Sequence, residues 1–108
     1  MTPALGEFEQ LVLIAIVRLE EEAYGATIRR EIEGRTGRRL SISAVYTTLD
    51  RLEQKGAVRS WVGEPTAQRG GRRRKFFALQ PAGARSLREA YSAYSEMAAG
   101  LERRLRTL

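Results

Sequence analysis

Apolar residues recur at helical spacing in the first part of the chain. One stripe repeats at intervals of three and four residues and predicts a helix from about residue 5 to residue 22: Leu5, Phe8, Val12, Ala15 and Leu19. A second set makes this helix apolar nearly all round: Leu11, Leu13, Ile14, Ile16 and Val17. Such a helix must be covered on more than one side. We expect a partner subunit to provide the second cover; the alternative is a central helix covered within one monomer.

Two shorter helices follow. Tyr24, Ile28 and Ile32 recur every four residues and predict a helix from about residue 24 to Gly37. Ser41 is a good N-cap for a third helix that ends near Gly56. Its apolar stripe comprises Ile42, Val45, Tyr46, Leu49 and Leu52. The opposite face is small and able to hydrogen-bond, which allows close approach to another molecule: Ser43, Ala44, Thr47, Thr48 and Arg51.

The pattern then changes to strands. Residues 57–63 and 75–79 are rich in aromatic and β-branched side chains, and a loop with Pro65, Gly70 and Gly71 separates them. Two antiparallel strands are therefore predicted, joined by a loop longer than a tight turn needs.

A last helix is predicted to begin at Pro81 and run to the C-terminus. Its heptad seam comprises Leu87, Tyr91, Tyr94, Ala98, Leu101, Leu105 and Leu108. Gly100 weakens this helix locally, by about 1 kcal/mol relative to Ala. The two terminal helices exceed what one small module needs and are suited to association, so the predicted dimer interface comprises Leu5, Phe8, Val12, Leu87, Tyr91, Tyr94, Ala98, Leu101 and Leu105.

The order of elements predicts the fold class. Two short helices joined by a turn and followed by a hairpin form a winged helix–turn–helix. The protein is thus expected to be mostly α with a two-stranded β-wing. A DNA-binding domain would span residues 1–80, and a long dimerisation helix would span residues 81–108.

Composition narrows the chemistry. The 108 residues suffice for one core and carry a net charge of +6, with no Cys or His. Disulfides, thiolate nucleophiles, Cys/His metal sites and His-based catalysis are therefore excluded, and we expect no enzyme activity, cofactor or metal. Residues 34–88 carry 13 cations and three anions, which favours a polyanionic partner for this part of the chain.

The basic part coincides with the predicted helix–turn–helix and wing. Hydroxyl and methyl groups on the third helix can contact base edges in a major groove, and arginines bind phosphates. The predicted DNA-binding residues are Arg38, Arg39, Ser43, Ala44, Tyr46, Thr47, Thr48, Arg51, Arg69, Arg72, Arg73, Arg74 and Lys75. The longest apolar run has seven residues, too short to span a bilayer, so a cytoplasmic, nucleoid-associated protein is expected.

Several short motifs together resemble the PadR family of bacterial transcriptional regulators. They are LGEFE at 5–9, AYG at 23–25, SAVYTTLDRLE at 43–53, KG at 55–56, GEPT at 63–66, GGR at 70–72 and PAG at 81–83. The resemblance covers nearly the whole chain and is to the short subfamily with a single C-terminal helix. It implies a homodimeric winged-helix repressor that binds a pseudo-palindromic operator in double-stranded DNA.

The resemblance also implies a small aromatic effector, since many family members release DNA when such a compound binds. Some hold it between two tryptophans in a pore between subunits. This chain departs from that pattern because its one tryptophan, Trp61, falls in the wing, and because Gln80 replaces the usual Thr or Ser cap before Pro81. The residues that could line a ligand site are Phe8, Tyr91, Tyr94 and Met97; ordinary packing is the simpler interpretation of the same set.

Two other functions fit parts of the pattern. A non-specific architectural protein would coat or bend DNA without recognising its sequence. A protein-interaction module would use the basic hairpin to hold an acidic partner. The small polar face of the third helix favours base recognition over coating.

Overall fold

The computed structural model describes residues 4–64 and 73–108. In these ranges the elements are α1 (Glu7–Leu19), α2 (Gly25–Thr36), α3 (Ile42–Gln54), β1 (Val58–Val62), β2 (Lys75–Leu79), α4 (Pro81–Ala98) and α5 (Glu102–Thr107). A single 3-10 turn at Glu20–Glu22 connects α1 to α2. The prediction of a mostly helical protein with a two-stranded antiparallel sheet is confirmed. Within the two described ranges, every helix is too short or too polar to cross a membrane.

The core lies where α1, α2, α3 and the hairpin meet. Its fully or nearly fully buried side chains include Val12 and Leu13 of α1, Ile28 of α2, and Phe77 of β2. From α3 it takes Val45, Leu49 and Leu52, which are 0% exposed. The predicted apolar stripe of α3 is therefore the side that faces the core.

The prediction that Val12 contacts a partner subunit is wrong. Val12 is 0% exposed within a single chain, so a second chain has no surface there to cover. The stripe that contains Val12 packs against α2, α3 and the sheet. The apolar side chains that α1 leaves exposed are Ile14 and Val17, from the second apolar set.

The hairpin is antiparallel, with Trp61 opposite Phe76 and Val58 opposite Leu79. The edge of β2 that faces away from β1 is also paired. The Phe77 N–H donates to the Ala23 carbonyl at 2.9 Å, and Tyr24 forms a β-bridge with Phe76. The segment before α2 thus extends the sheet by one short strand segment. This contact places the start of α2 beside the base of the wing.

Both ends of α3 agree with the sequence prediction. The Ser41 Oγ accepts a hydrogen bond from the Ala44 N–H at 3.0 Å, which satisfies one of the free donors of the first turn. At the other end Gly56 adopts a φ of 76°, which glycine tolerates without steric cost. The Ala57 N–H then donates to the Leu52 carbonyl at 2.9 Å and closes the helix.

α4 begins in close contact with the junction between α3 and β1. The Gln80 N–H donates to the Ala57 carbonyl at 2.9 Å, while the Gln80 side chain forms no capping hydrogen bond. A Cβ on Gly83 would lie 2.1 Å from the same carbonyl oxygen, so only glycine permits this approach. Leu87, one turn further on, packs against the core.

The prediction of one uninterrupted C-terminal helix is wrong. α4 ends at Ala98, Gly100 adopts a φ of 82°, and α5 begins at Glu102. A residue with positive φ interrupts the helical hydrogen bonds, so α4 and α5 are two separate helices. The heptad seam therefore holds only within α4, and Leu101 and Leu105 belong to a separate short segment.

A buried ion pair joins the start of α1 to the end of α3. The Glu9 carboxylate is 5% exposed and accepts hydrogen bonds from Lys55 Nζ at 2.8 and 2.9 Å and from the Gly6 N–H at 2.8 Å. Lys55 Nζ also donates to the Ala4 carbonyl at 3.2 Å. Burial by itself raises the pKa of Glu9, but the bonds from Lys55 and Gly6 outweigh it and hold the pKa below its usual value.

We expect Lys55→Met to lower the free energy of unfolding by about 3 kcal/mol at pH 7, because it leaves the Glu9 carboxylate buried without its partner. Because the folded pKa of Glu9 is depressed, its contribution is present above the unfolded pKa of about 4.3 and is lost as the pH falls through the folded value. Glu9→Gln should therefore show a smaller loss of stability in acid than wild type. Urea unfolding between pH 7 and pH 3 measures both effects; identical pH profiles would contradict the assignment.

Candidate nucleic-acid interface

The outer face of α3 presents small polar groups to solvent. Ser43, Ala44, Thr47 and Arg51 are all exposed, on the side opposite Val45 and Leu49. Since the core fixes the inner face of the helix, these four side chains are displayed together in a defined order. The Ser43 and Thr47 hydroxyls can donate or accept hydrogen bonds, the Arg51 guanidinium can donate them, and the Ala and Thr methyl groups can make apolar contacts.

Thr48 does not belong to this face, contrary to the sequence prediction. It is 5% exposed. Its position explains the difference: Thr48 lies three residues after Val45 and four before Leu52, so it falls on the stripe that faces the core. Its side chain is therefore not available to base edges.

Tyr46 lies at the border between the two faces of α3. It is 42% exposed, and its ring end occupies the space beside Gly25 at the start of α2. A Cβ on Gly25 would lie 2.5 Å from both Cζ and Oη of the ring. The tyrosine is thus half packed and half accessible, which is compatible with a hydroxyl that contacts a phosphate.

The turn between α2 and α3 carries two arginines with different surroundings. Both guanidinium amines of Arg38 donate to the Glu7 carboxylate, with Nη1 3.0 Å from Oε1, and this bond lowers the pKa of Glu7. Arg39 is exposed. Arg29, Arg38 and Arg39 line one groove of about 590 Å³. The Glu33 carboxylate accepts a hydrogen bond from the Leu40 N–H at 2.9 Å, which braces this turn and lowers the pKa of Glu33.

The base of the wing carries three further cations. Arg73 is exposed, Arg74 places its guanidinium 4.7 Å from the centre of the Tyr24 ring, and Lys75 Nζ lies 3.8 Å from a Glu53 carboxylate oxygen. The predicted contacts Arg69 and Arg72 lie outside the described residues. The described cations lie at the loop end of the hairpin, where Lys75 pairs with Val62.

One arginine at the turn escaped the sequence analysis. Arg29 lines the groove there together with Arg38 and Arg39. In the sequence Arg29 is indistinguishable from an ordinary member of an i,i+4 pair with Glu33, an ion pair that the structure also contains. Arg59 was also not predicted as a site residue; it stacks its guanidinium 4.6 Å from the Trp61 ring.

A second surface is apolar and lies on the helices at the two ends of the chain. Tyr91, Tyr94 and Met97 of α4 are strongly exposed, Tyr94 by 74%. Leu101 and Leu105 are also exposed, and Ala98 is half-buried. Leu5, Phe8 and Leu87 are half-buried because they pack against the core of their own chain. The predicted interface and ligand residues thus divide into a packed group and an exposed group.

Within residues 4–64 and 73–108, three or more carboxylates that could hold a metal ion do not come together. Three carboxylates near the basic turn and the hairpin, those of Glu7, Glu33 and Glu53, each pair with an arginine or lysine.

Comparison with known proteins identifies the family. The family model described as the transcriptional regulator PadR-like family matches residues 12–89. Among solved structures, a PadR family regulator from Eggerthella lenta is 25% identical over 94% of this chain and 88% of its own, with a TM-score of 0.67. No curated protein matches the chain significantly.

Two more distant structures have the same fold. A PadR family regulator from Clostridium difficile is 21% identical over 91% of this chain and 98% of its own, with a TM-score of 0.71. A PadR-like regulator from Bacillus cereus is 19% identical over 91% and 90%, with a TM-score of 0.71. At this identity the likeness establishes the fold alone. Together with the family match, it shows that the chain belongs to the PadR-like family of winged-helix transcriptional regulators, which are DNA-binding proteins and not enzymes.

Proposed function

We propose that the protein is a sequence-specific, homodimeric repressor that binds a pseudo-palindromic operator in double-stranded DNA. The observation that carries the proposal is the exposed face of α3. Its hydroxyl and methyl groups lie between cations at the turn before the helix and cations at the base of the wing. A helix face that only contacts water is usually rich in Glu and Lys, whereas this face carries Ser43, Ala44 and Thr47.

In the proposed complex α3 enters the major groove with its N-terminal half leading. Ser43 and Thr47 hydrogen-bond base edges, and Ala44 contacts a thymine methyl group. Arg51, one turn later, reaches a base or a phosphate. Tyr46 donates its hydroxyl to the backbone at the edge of the groove.

Backbone contacts come from the turn and the wing. Arg39 and the wing cations neutralise phosphates and release counterions, so affinity falls with increasing salt. Arg38 exchanges the Glu7 carboxylate for a phosphate oxygen. The exchange costs little because the Glu7–Arg38 pair is exposed and already weakened by water.

The exposed apolar side chains of α1, α4 and the C-terminal segment support a homodimer. Large apolar side chains exposed in such number on a small chain favour an interaction site. We propose a second copy as its occupant, with residues 81–108 as the dimerisation segment. Two-fold symmetry then places the two α3 helices on half-sites about one helical turn, or a multiple of it, apart, and the dimer acts at the nucleoid in the cytoplasm.

A small aromatic effector would act through the same surface. The exposed residues Tyr91, Tyr94 and Met97 offer rings and a thioether to a flat apolar ligand. Such a ligand releases DNA only if it binds more tightly to a dimer whose two α3 helices are spaced wrongly for DNA than to the DNA-binding dimer. The half-buried Phe8 would line this site from α1.

Fluorescence anisotropy tests the function as a whole. The probes are the DNA upstream of the protein's own gene and a shuffled control, each at several salt concentrations. We expect the native fragment to bind a hundredfold more tightly, or about 2.7 kcal/mol. Equal salt-sensitive binding to both would favour an architectural protein, which a genome-wide pull-down can check, and no binding at low salt would contradict the proposal.

Thr47 and Thr48 form a matched pair of adjacent threonines, one exposed and one buried. We expect Thr47→Ala to change the preferred bases at one or two positions of each half-site, at a cost of about 1–3 kcal/mol, without loss of stability. Thr48→Ala should lower stability by about 1 kcal/mol and leave the preferred bases unchanged. Selection from a random duplex library and thermal unfolding measure the two effects. If Thr47→Ala leaves the preferred bases unchanged, Thr47 does not contact the bases.

Replacing Arg72, Arg73 and Arg74 together with Ala should weaken binding to all DNA sequences about equally. The slope of log affinity against log salt should become shallower by about 2–3, because each lost phosphate contact removes about 0.9 from it. The control replaces Arg103, Arg104 and Arg106 with Ala, which changes the net charge equally at α5. Equal slopes for the wing variant and wild type would exclude the wing from DNA contact.

Charged residues in the apolar surface should separate the subunits. We expect Tyr94→Asp together with Leu101→Asp to raise the dimer dissociation constant by about a hundredfold, or about 2.7 kcal/mol, because the interface would bury unpaired carboxylates. Val62→Asp, at a similarly exposed apolar residue of the hairpin, is the control. Sedimentation velocity distinguishes monomer from dimer, and a double variant that stays dimeric would refute this interface.

A further inference from the structure

Two aromatic rings each occupy the space that a side chain on a neighbouring glycine would need. The Tyr46 ring lies against Gly25, where a Cβ would be 2.5 Å from Cζ and Oη. The Phe76 ring lies against Gly63, where a Cβ would be 2.5 Å from Cε2. Real Cβ atoms do not approach other atoms this closely. The Tyr46–Gly25 contact joins α3 to α2. The Phe76–Gly63 contact lies just after β1, where the loop of the hairpin begins.

Tyr24 connects these two contacts. It immediately precedes Gly25, and its ring packs edge-on against Phe76 with centroids 5.5 Å apart and an angle of 78°. Phe76 in turn stacks on Trp61, with centroids 6.0 Å apart and an angle of 21°. The β-bridge between Tyr24 and Phe76 fixes the backbones beside these rings. A continuous row of contacts thus runs from α3, across the start of α2, to the base of the wing.

We propose that this row, formed by Tyr46, Gly25, Tyr24, Phe76 and Gly63, positions the wing relative to α3 for DNA binding. The inference rests on the proposed function and deepens it. A specific complex needs α3 in the groove and the wing on the backbone at the same time, so their relative position must be correct within a fraction of an ångström. Non-specific binding is mainly electrostatic and tolerates a displaced wing.

The partial exposure of the row argues against a purely stabilising role. Tyr46 is 42% exposed and Tyr24 and Phe76 are half-buried, whereas the core residues of the same elements are almost fully buried. The Tyr46 ring can swing outward when its space is filled. Filling that space should therefore move the ring without unfolding the protein.

The experiment compares Gly25→Ala and Gly63→Ala with wild type. The probes are a duplex that the wild-type protein enriches from a random library and a shuffled version of it, measured by anisotropy at one salt concentration. We expect both variants to bind the selected duplex at least tenfold more weakly. Their affinities for the shuffled duplex should stay within twofold of wild type, and their thermal midpoints should remain close to it.

Gly34→Ala is the matched control. Gly34 lies in α2 like Gly25, has no positive φ, and has no atom within 4 Å of where a Cβ would lie. The same substitution there should leave both affinities unchanged.

Two double variants test whether the contacts act together. Tyr46→Leu removes the ring end that collides with a Cβ on residue 25, so Gly25→Ala should have no further effect on specific binding in that background. Gly25→Ala combined with Gly63→Ala should lose no more specific affinity than the more damaging single variant, because both disturb one row. If the affinity losses of the two single variants multiply in either double variant, the inference is overturned.

The outcomes separate the inference from the function on which it rests. If the wild-type protein enriches no duplex, the proposed sequence-specific function fails. If wild type discriminates between the duplexes and both glycine variants discriminate equally well, the positioning role is overturned. An equal loss of affinity for both duplexes, together with a lowered thermal midpoint, would also overturn it, because it would indicate general destabilisation.

Discussion

The burial of one stripe of α3 is the constraint on which the rest of the structure depends. Val45, Leu49 and Leu52 are completely enclosed by α1, α2 and the hairpin. Fully burying each such side chain contributes about 1.5–3 kcal/mol, so rotating α3 about its axis would forfeit most of the core. The opposite face must therefore remain at the surface, and the core fixes which side chains of α3 it presents.

The first turn of α1 holds α3 from both ends, with two ion pairs of different character. Glu9 pairs with Lys55 just after α3, and because the Glu9 carboxylate is buried, loss of Lys55 leaves a charge with little access to water. Glu7 pairs with Arg38 just before α3 in an exposed site, where water can replace either partner. The Glu9–Lys55 pair is suited to a permanent link between α1 and the end of α3. The exposed pair is suited to exchange with another anion, and it lies on the side of α3 that leads into the proposed complex.

The apolar surface of the terminal helices shows how one residue can alter an otherwise periodic signal. The heptad spacing of the last segment is regular from Leu87 to Leu108, and spacing alone favours one continuous seam. Gly100 interrupts it because glycine reaches positive φ at no steric cost. The exposed surface that results is shorter and divided into two segments. Its rings and leucines remain outside the core of their own chain.

The sequence by itself determined the order of the elements, the ends of α3, the hairpin and the exposed positions Ser43 and Thr47, because these follow from local periodicity and turn chemistry. Only the tertiary structure decided which apolar stripe of α1 faces inward, so Val12 is a core residue. It also decided that Thr48 is buried and that Arg29 joins the basic turn. The physical reason is that spacing identifies the faces of a helix, whereas their orientation depends on contacts with elements distant in the chain.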